Sequence, residues 1–128
     1  MPKSILIVDD SQVVRQLVRT YLESRLEQVS FAEASDGLDA IEHVSRVKPD
    51  VIVLDMSMPL MNGLDAAPVL HDMAPSTPII LFTLHKDFVS EKHANAVGIR
   101  AVVSKTDQIE VLVDQILNLT PIVRATAH

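Results

Sequence analysis

Asp9 and Asp10, Asp55, Thr83 and Lys105 all stand at or just past the end of a short apolar run: "ILIV" at 5–8, "VIVL" at 51–54, "IILF" at 79–82 and "AVV" at 101–103. Gathered at one place, carboxylates, a hydroxyl and an ammonium suit phosphoryl chemistry. An apolar run that ends on two adjacent acids needs a positive partner there, because a buried unpaired charge is strongly unfavourable. Three carboxylates brought together repel, so either some hold protons at raised pKa values or a cation keeps them ionised. Oxygen ligands, in a chain with no cysteine and no paired histidines, select a hard ion. Magnesium, or manganese in its place, takes one or two protein carboxylates and keeps several waters, whereas calcium wants more ligands than this chain offers. Lys105 adds a fixed positive charge and Thr83 a hydroxyl donor. Asp55 is then the central carboxylate, able to attack phosphorus and form an acyl phosphate.

Those residues converge only if the elements before them are parallel strands ending on one side of a sheet. The four runs, with a more mixed one at "VSFAEA" (29–34), read as five strands. Helical spacing separates them: Val14, Leu17, Val18, Tyr21 and Leu22; then Leu38, Ile41 and Val44; then Ile109, Leu112, Val113 and Ile116. Ser11 or Asp10, Asp36 and Asp107 are the expected N-caps, the last with Glu110 as a capping-box partner. Residues 86–97 are weakly amphipathic. Pro68, inside the helix that follows Asn62-Gly63, is expected to delay or kink it. Alternating strands and helices make an α/β fold, a doubly wound five-stranded parallel sheet. The three most apolar runs belong inside the sheet and the other two at its edges, which with right-handed crossovers gives the order 2-1-3-4-5. The first and third strands are then neighbours where the winding reverses, the place where such sheets bind ligands.

The chain has 128 residues, 17 acids against 11 bases and a net charge of −6, with no basic cluster. One domain is expected, and direct nucleic-acid binding is disfavoured. The opening apolar run is too short for a signal-peptide core, and no window approaches the roughly 18 apolar residues of a membrane span. A soluble, cytoplasmic protein is the expectation. His43, His71, His85, His93 and His128 show no metal-ligand spacing; His85, two residues after Thr83, falls near the expected site.

At these residues the sequence resembles the receiver domain of bacterial two-component response regulators, over about residues 4–119. "ILIVDDS" resembles the first strand with its acidic pair and "VIVLDMSMPLMNG" the strand and loop of the phospho-accepting aspartate. "IILFT" resembles the strand ending in the switch residue and "GIRAVVSK" the strand ending in the lysine. The resemblance implies a flavodoxin-like receiver fold over 1–119 and a short tail over 120–128. It implies that Asp55 accepts a phosphoryl group from a phosphohistidine on a sensor histidine kinase or a phosphotransfer protein. Asp10, Asp55 and the backbone carbonyl of Ser57 would ligate magnesium, with Asp9 helping through water. Thr83 would move inward on phosphorylation and shift a two-state equilibrium read by a downstream protein at the face of the fourth helix, fifth strand and fifth helix. No turnover beyond intrinsic phosphorylation and dephosphorylation of Asp55 is implied.

Three positions depart from the family pattern. Val102 stands where an aromatic is usual, Thr106 where proline usually follows the lysine, and Leu84 where a small residue usually follows Thr83. Leu84 is expected to narrow access to Asp55. Other functions compete less well. An aspartyl-phosphate phosphatase carries a second acid two residues after its nucleophile, and Ser57 occupies that position. A flavin carrier would find one tyrosine and no tryptophan to stack on its ring. An adaptor that binds partners without phosphorylation draws on Val102 and Leu84, but leaves the complete set of charged residues unexplained.

Overall fold

The computed structural model describes residues 2–126, so Met1 and the tail's last two positions, Ala127 and His128, lie outside the described residues. The elements run β1 (Lys3–Val8), α1 (Gln12–Arg25), β2 (Leu26–Glu27), β3 (Val29–Ala34), α2 (Gly37–Arg46), β4 (Val51–Leu54) and α3 (Gly63–Met73). After them come β5 (Ile79–Thr83), α4 (Glu91–Ala96), β6 (Ile99–Ser104), α5 (Glu110–Leu119) and β7 (Val123–Arg124). A single 3-10 turn, Lys86–Phe88, precedes α4. The main sheet has the order β3-β1-β4-β5-β6, which is 2-1-3-4-5 counted over the five long strands. All its pairings are parallel, with Val8 opposite Ala34 on one side and Leu54 on the other.

Strand side chains alternate between two cores. Leu6, Val8, Ile52, Leu54, Ile79 and Leu81 face α2 and α3, packing on Ala40, Val44, Ala66 and Leu70. Ile5, Ile7, Val51, Val53, Ile80 and Phe82 face α1 and α5, packing on Val18, Leu22, Leu112, Val113 and Ile116. Burial on both faces explains why the central strands are continuous apolar runs rather than alternating ones. Among the described residues no helix is long and apolar enough to cross a membrane.

Ser11 caps α1 by accepting the Val14 N–H at 3.2 Å, and Asp36 caps α2 by accepting the Asp39 N–H at 2.8 Å. Several expectations fail. Asp107 caps nothing: its N–H closes a turn onto the Ser104 carbonyl, and α5 begins three residues later with Ile109 at the cap position and no side-chain cap bond. Ile109, at that cap position, packs against the core. Leu17 and Leu38 are exposed, because the buried stripes of α1 and α2 centre on Val18 and Leu22 and on Ala40 and Val44. Pro68 does not delay α3. Asn62 caps the helix through the Asp65 N–H at 2.9 Å, so the first turn is fixed before the proline is reached.

The tail folds back. Val123–Arg124 pairs antiparallel with Leu26–Glu27, and Ile122 is buried against the α1/α5 core. This ladder lies at the amino-terminal end of the sheet, since Glu27 leads into β3 and the Thr120 hydroxyl donates to the Asp50 carbonyl just before β4. The strand ends that carry the polar residues lie at the opposite end.

Candidate functional site

Parallel β1, β4, β5 and β6 deliver Asp9, Asp10, Asp55, Thr83 and Lys105 to the carboxyl edge of the sheet, as the order of the strands requires. A cavity of about 260 Å³ opens there, lined by those residues together with Ser57, Val14, Leu84 and His85. Asp9 and Asp55 are buried, at 3 % and 5 % exposure, while Asp10 faces solvent. The Lys105 ammonium bridges the two buried acids, 2.7 Å from Asp9 Oδ2 and 3.1 Å from Asp55 Oδ1. Asp9 Oδ1 also accepts the Ser11 N–H at 2.9 Å. Lys105 is itself registered by its backbone N–H, which donates to the Thr83 carbonyl at 2.8 Å.

Burial and then the neighbouring charge of Asp9 push the Asp55 carboxyl pKa above its ordinary value, against the opposing pull of Lys105 and a backbone hydrogen bond with Ser57. Burial alone would lower Lys105, but its hydrogen bond to Asp9 and the charges of Asp55 and Asp9 outweigh that, and the net shift is upward. One ammonium does not neutralise three acids. Carboxylate oxygens of Asp9, Asp10 and Asp55 all lie within 4.8 Å of one another, an all-oxygen group that could hold a hard divalent ion. Among the described residues no histidine joins that group. Thr83, fully buried, accepts the His85 N–H at 3.0 Å, which leaves its O–H as a donor. His85 stacks on the exposed Phe88 ring at 5.7 Å, at the cavity mouth beside Leu84.

Comparison with known proteins places this arrangement. The family model described as the response regulator receiver domain matches residues 5–117. The chain belongs to this family. Among solved structures, the receiver domain superposes on the Thermotoga maritima response regulator TrrA, in complex with Mg2+-BeF, with a TM-score of 0.82. The two are 26% identical, covering 91% of this chain and 98% of that one. The chemotaxis response regulator CheY4 of Vibrio cholerae matches with a TM-score of 0.81 at 26% identity, covering 93% and 99%. Among curated proteins, a protein-glutamate methylesterase/protein-glutamine glutaminase of Rhodopseudomonas palustris is 45% identical over 69 residues. That match covers 54% of this receiver domain but 18% of the methylesterase. The chain therefore spans about a fifth of the length of such relatives.

Sequence reasoning missed three residues that shape this receiver domain's site. Arg15, on α1, donates to the Asp9 carbonyl at 2.6 Å and to Glu33 of β3 at 2.9 Å. Gly63, at the start of α3, lies so close behind Asp55 that a β-carbon there would strike the Asp55 carbonyl. Arg15 and Glu33 make no motif, since they meet through the fold; Gly63 was visible only as part of an Asn-Gly pair.

Proposed function

We propose that this receiver domain, residues 1–119, is a phosphorylation-dependent signalling switch with Asp55 as phospho-acceptor. The observation that carries the reading is the Lys105 ammonium shared between buried Asp9 and Asp55 in a cavity that also holds Thr83. A carboxylate oxygen of Asp55 attacks the phosphorus of a phosphohistidine, an O–P bond forms, the N–P bond breaks, and the departing imidazole takes up a proton. Lys105 and the Thr83 O–H stabilise charge on the transferring oxygens. Asp10, Asp55 and the Ser57 carbonyl, with Asp9 nearby, would hold Mg2+ or Mn2+, which when bound offsets the charge of the acids and of the incoming phosphoryl group.

The phosphodonor is a sensor histidine kinase or a histidine phosphotransfer protein, working in the cytoplasm. Beside the cavity mouth an apolar groove formed by Val14, Leu17, Val18, Phe82, Leu84 and Ile109 offers it a docking surface. The response is read at the face of α4, β6 and α5 by a downstream protein. A groove of about 580 Å³ crosses that face, and the half-buried Val102 lines it in place of an aromatic side chain. That replacement keeps a second reading open, a receiver-like adaptor whose partner affinity ignores phosphorylation. Incubation with Mg2+ and a small acyl-phosphate donor, followed by intact mass, tests the first reading: one added phosphoryl group on the parent protein and none on Asp55→Asn. No added mass on the parent protein overturns it.

A further inference from the structure

We propose that Arg15 is a positioning residue for the divalent-ion site, fixing Asp10 through the backbone; this rests on the reading of Asp9, Asp10 and Asp55 as that site. Asp9 and Asp55 are each tied by their own side chains, to Lys105 and, for Asp9, also to the Ser11 N–H. Asp10 is exposed, and among the described residues its carboxylate makes no hydrogen bond or ion pair. It nevertheless comes within 4.8 Å of the other two acids. Its place is therefore set by the peptide that precedes it. Residue Asp9 is gripped on both backbone sides: its N–H donates to the Ala34 carbonyl of β3 at 3.1 Å, and its carbonyl, which belongs to the Asp9–Asp10 peptide, accepts Arg15 Nη1 at 2.6 Å.

The guanidinium is well placed to hold a fixed position. Its side chain is 14% exposed, its Nε donates to Glu33 Oε1 at 2.9 Å, and Glu33 sits on β3 directly opposite Ile7 of β1. Arg15 thus joins α1, the acidic loop and the edge strand through two different nitrogens of one planar group. Lysine, with a single ammonium on a flexible stem, would not hold both partners in that fork.

Charge and position predict opposite outcomes when Arg15 is removed. As a charge alone, Arg15 repels a divalent ion, so Arg15→Ala would tighten binding. As a positioning group, its loss frees the Asp9–Asp10 peptide and weakens binding by about tenfold, the usual size for losing a group that orients a metal ligand. The double variant Arg15→Ala/Glu33→Gln removes one charge of each sign, so a purely electrostatic role leaves affinity near the parent value and a positioning role does not.

Mn2+ titration, followed by the electron paramagnetic resonance signal of the free ion, reads the affinity directly. Thermal melts of each variant monitor the fold. About tenfold weaker binding in Arg15→Ala and in the double variant, with melts that remain cooperative, supports the role. Parent-like or tighter binding in both overturns it. Should Arg15→Ala fail to fold, Arg15→Lys carries the same test, since it keeps the charge and loses the fork: weakened binding supports the role and parent-like binding overturns it. Asp10→Asn belongs in the same titration, because Mn2+ binding that it leaves untouched overturns the metal-site reading itself.

Discussion

Asp55 is held in a surrounding that disfavours its charge, since burial and the adjacent Asp9 raise its pKa more than Lys105 lowers it. A carboxyl whose native pKa lies above its unfolded value contributes stability below the unfolded value and loses it as pH rises through the native one. In a metal-free buffer at neutral pH, Asp55→Asn should therefore melt a few degrees above the parent, with Lys105 still paired to Asp9 at 2.7 Å. The gap should close as pH falls toward the ordinary carboxyl value of 3.8, and should shrink when Mg2+ is added. A variant that melts lower than the parent at neutral pH would show that the Lys105 pair outweighs burial. Leu84, 62% exposed on the cavity lining, supplies a kinetic prediction: Leu84→Ala should label several-fold faster with a small acyl-phosphate donor, and an unchanged rate sinks the idea that it obstructs entry. That Asp9, Asp10, Asp55, Thr83 and Lys105 meet at one edge was legible in the sequence, because each ends an apolar run and parallel strands end together. Arg15 was not, because its partners are a backbone carbonyl and a carboxylate on another strand, and one charged residue three positions before Val18 has no spacing to betray it.

Local chemistry places the elements where the strands leave room. Ser11 and Asp36 were readable as N-caps, since a short polar side chain just before a periodic apolar stretch satisfies an N–H that the helix leaves free. The same reasoning misplaced Asp107, and the reason is tertiary. Glu110, expected to serve a cap, instead accepts the Tyr21 hydroxyl at 2.8 Å and Arg124 at 2.6 Å, partners distant in sequence. Those bonds, with burial opposing them weakly, hold the Glu110 pKa below its usual range. The start of α3 shows how closely an element fits its site. Gly63 is buried, donates its N–H to the Met56 carbonyl at 2.8 Å and has the Asp55 carbonyl oxygen where a β-carbon would stand. Gly63→Ala should cost about 1–3 kcal/mol, the range for overpacking a rigid contact. It should also slow labelling, because the backbone that must yield carries the acceptor. Chemical denaturation and intact-mass kinetics on one preparation check both, and a variant as stable and as fast as the parent would mean that α3 shifts away freely.

At the scale of the molecule, strand order followed from hydrophobicity together with right-handed crossovers: the three most apolar strands had to be central, and β3 and β6, with mixed burial, took the edges. The closing ladder had no such signal. Two residues pairing with two cannot show a period, and Val123 and Arg124 are both exposed. What fastens the tail is Ile122, 8% exposed in the core shared by α1 and α5, more than the charged contacts of Arg124 with Glu110 and Asp114, which lie open to solvent and salt. The two contributions separate by mutation. Ile122→Ala should lower unfolding free energy by about 2 kcal/mol, the low end for a core isoleucine because the site is peripheral. Arg124→Ala should change it much less, despite its 2.6 Å contact. Neither should alter the rate at which Asp55 is labelled, because the ladder sits at the amino-terminal end of the strands and the acidic cluster at the other. Denaturant melts beside labelling time courses decide it. If Ile122→Ala slows labelling while the protein remains folded, the tail reaches the site through α5, and the two ends of the sheet are not independent.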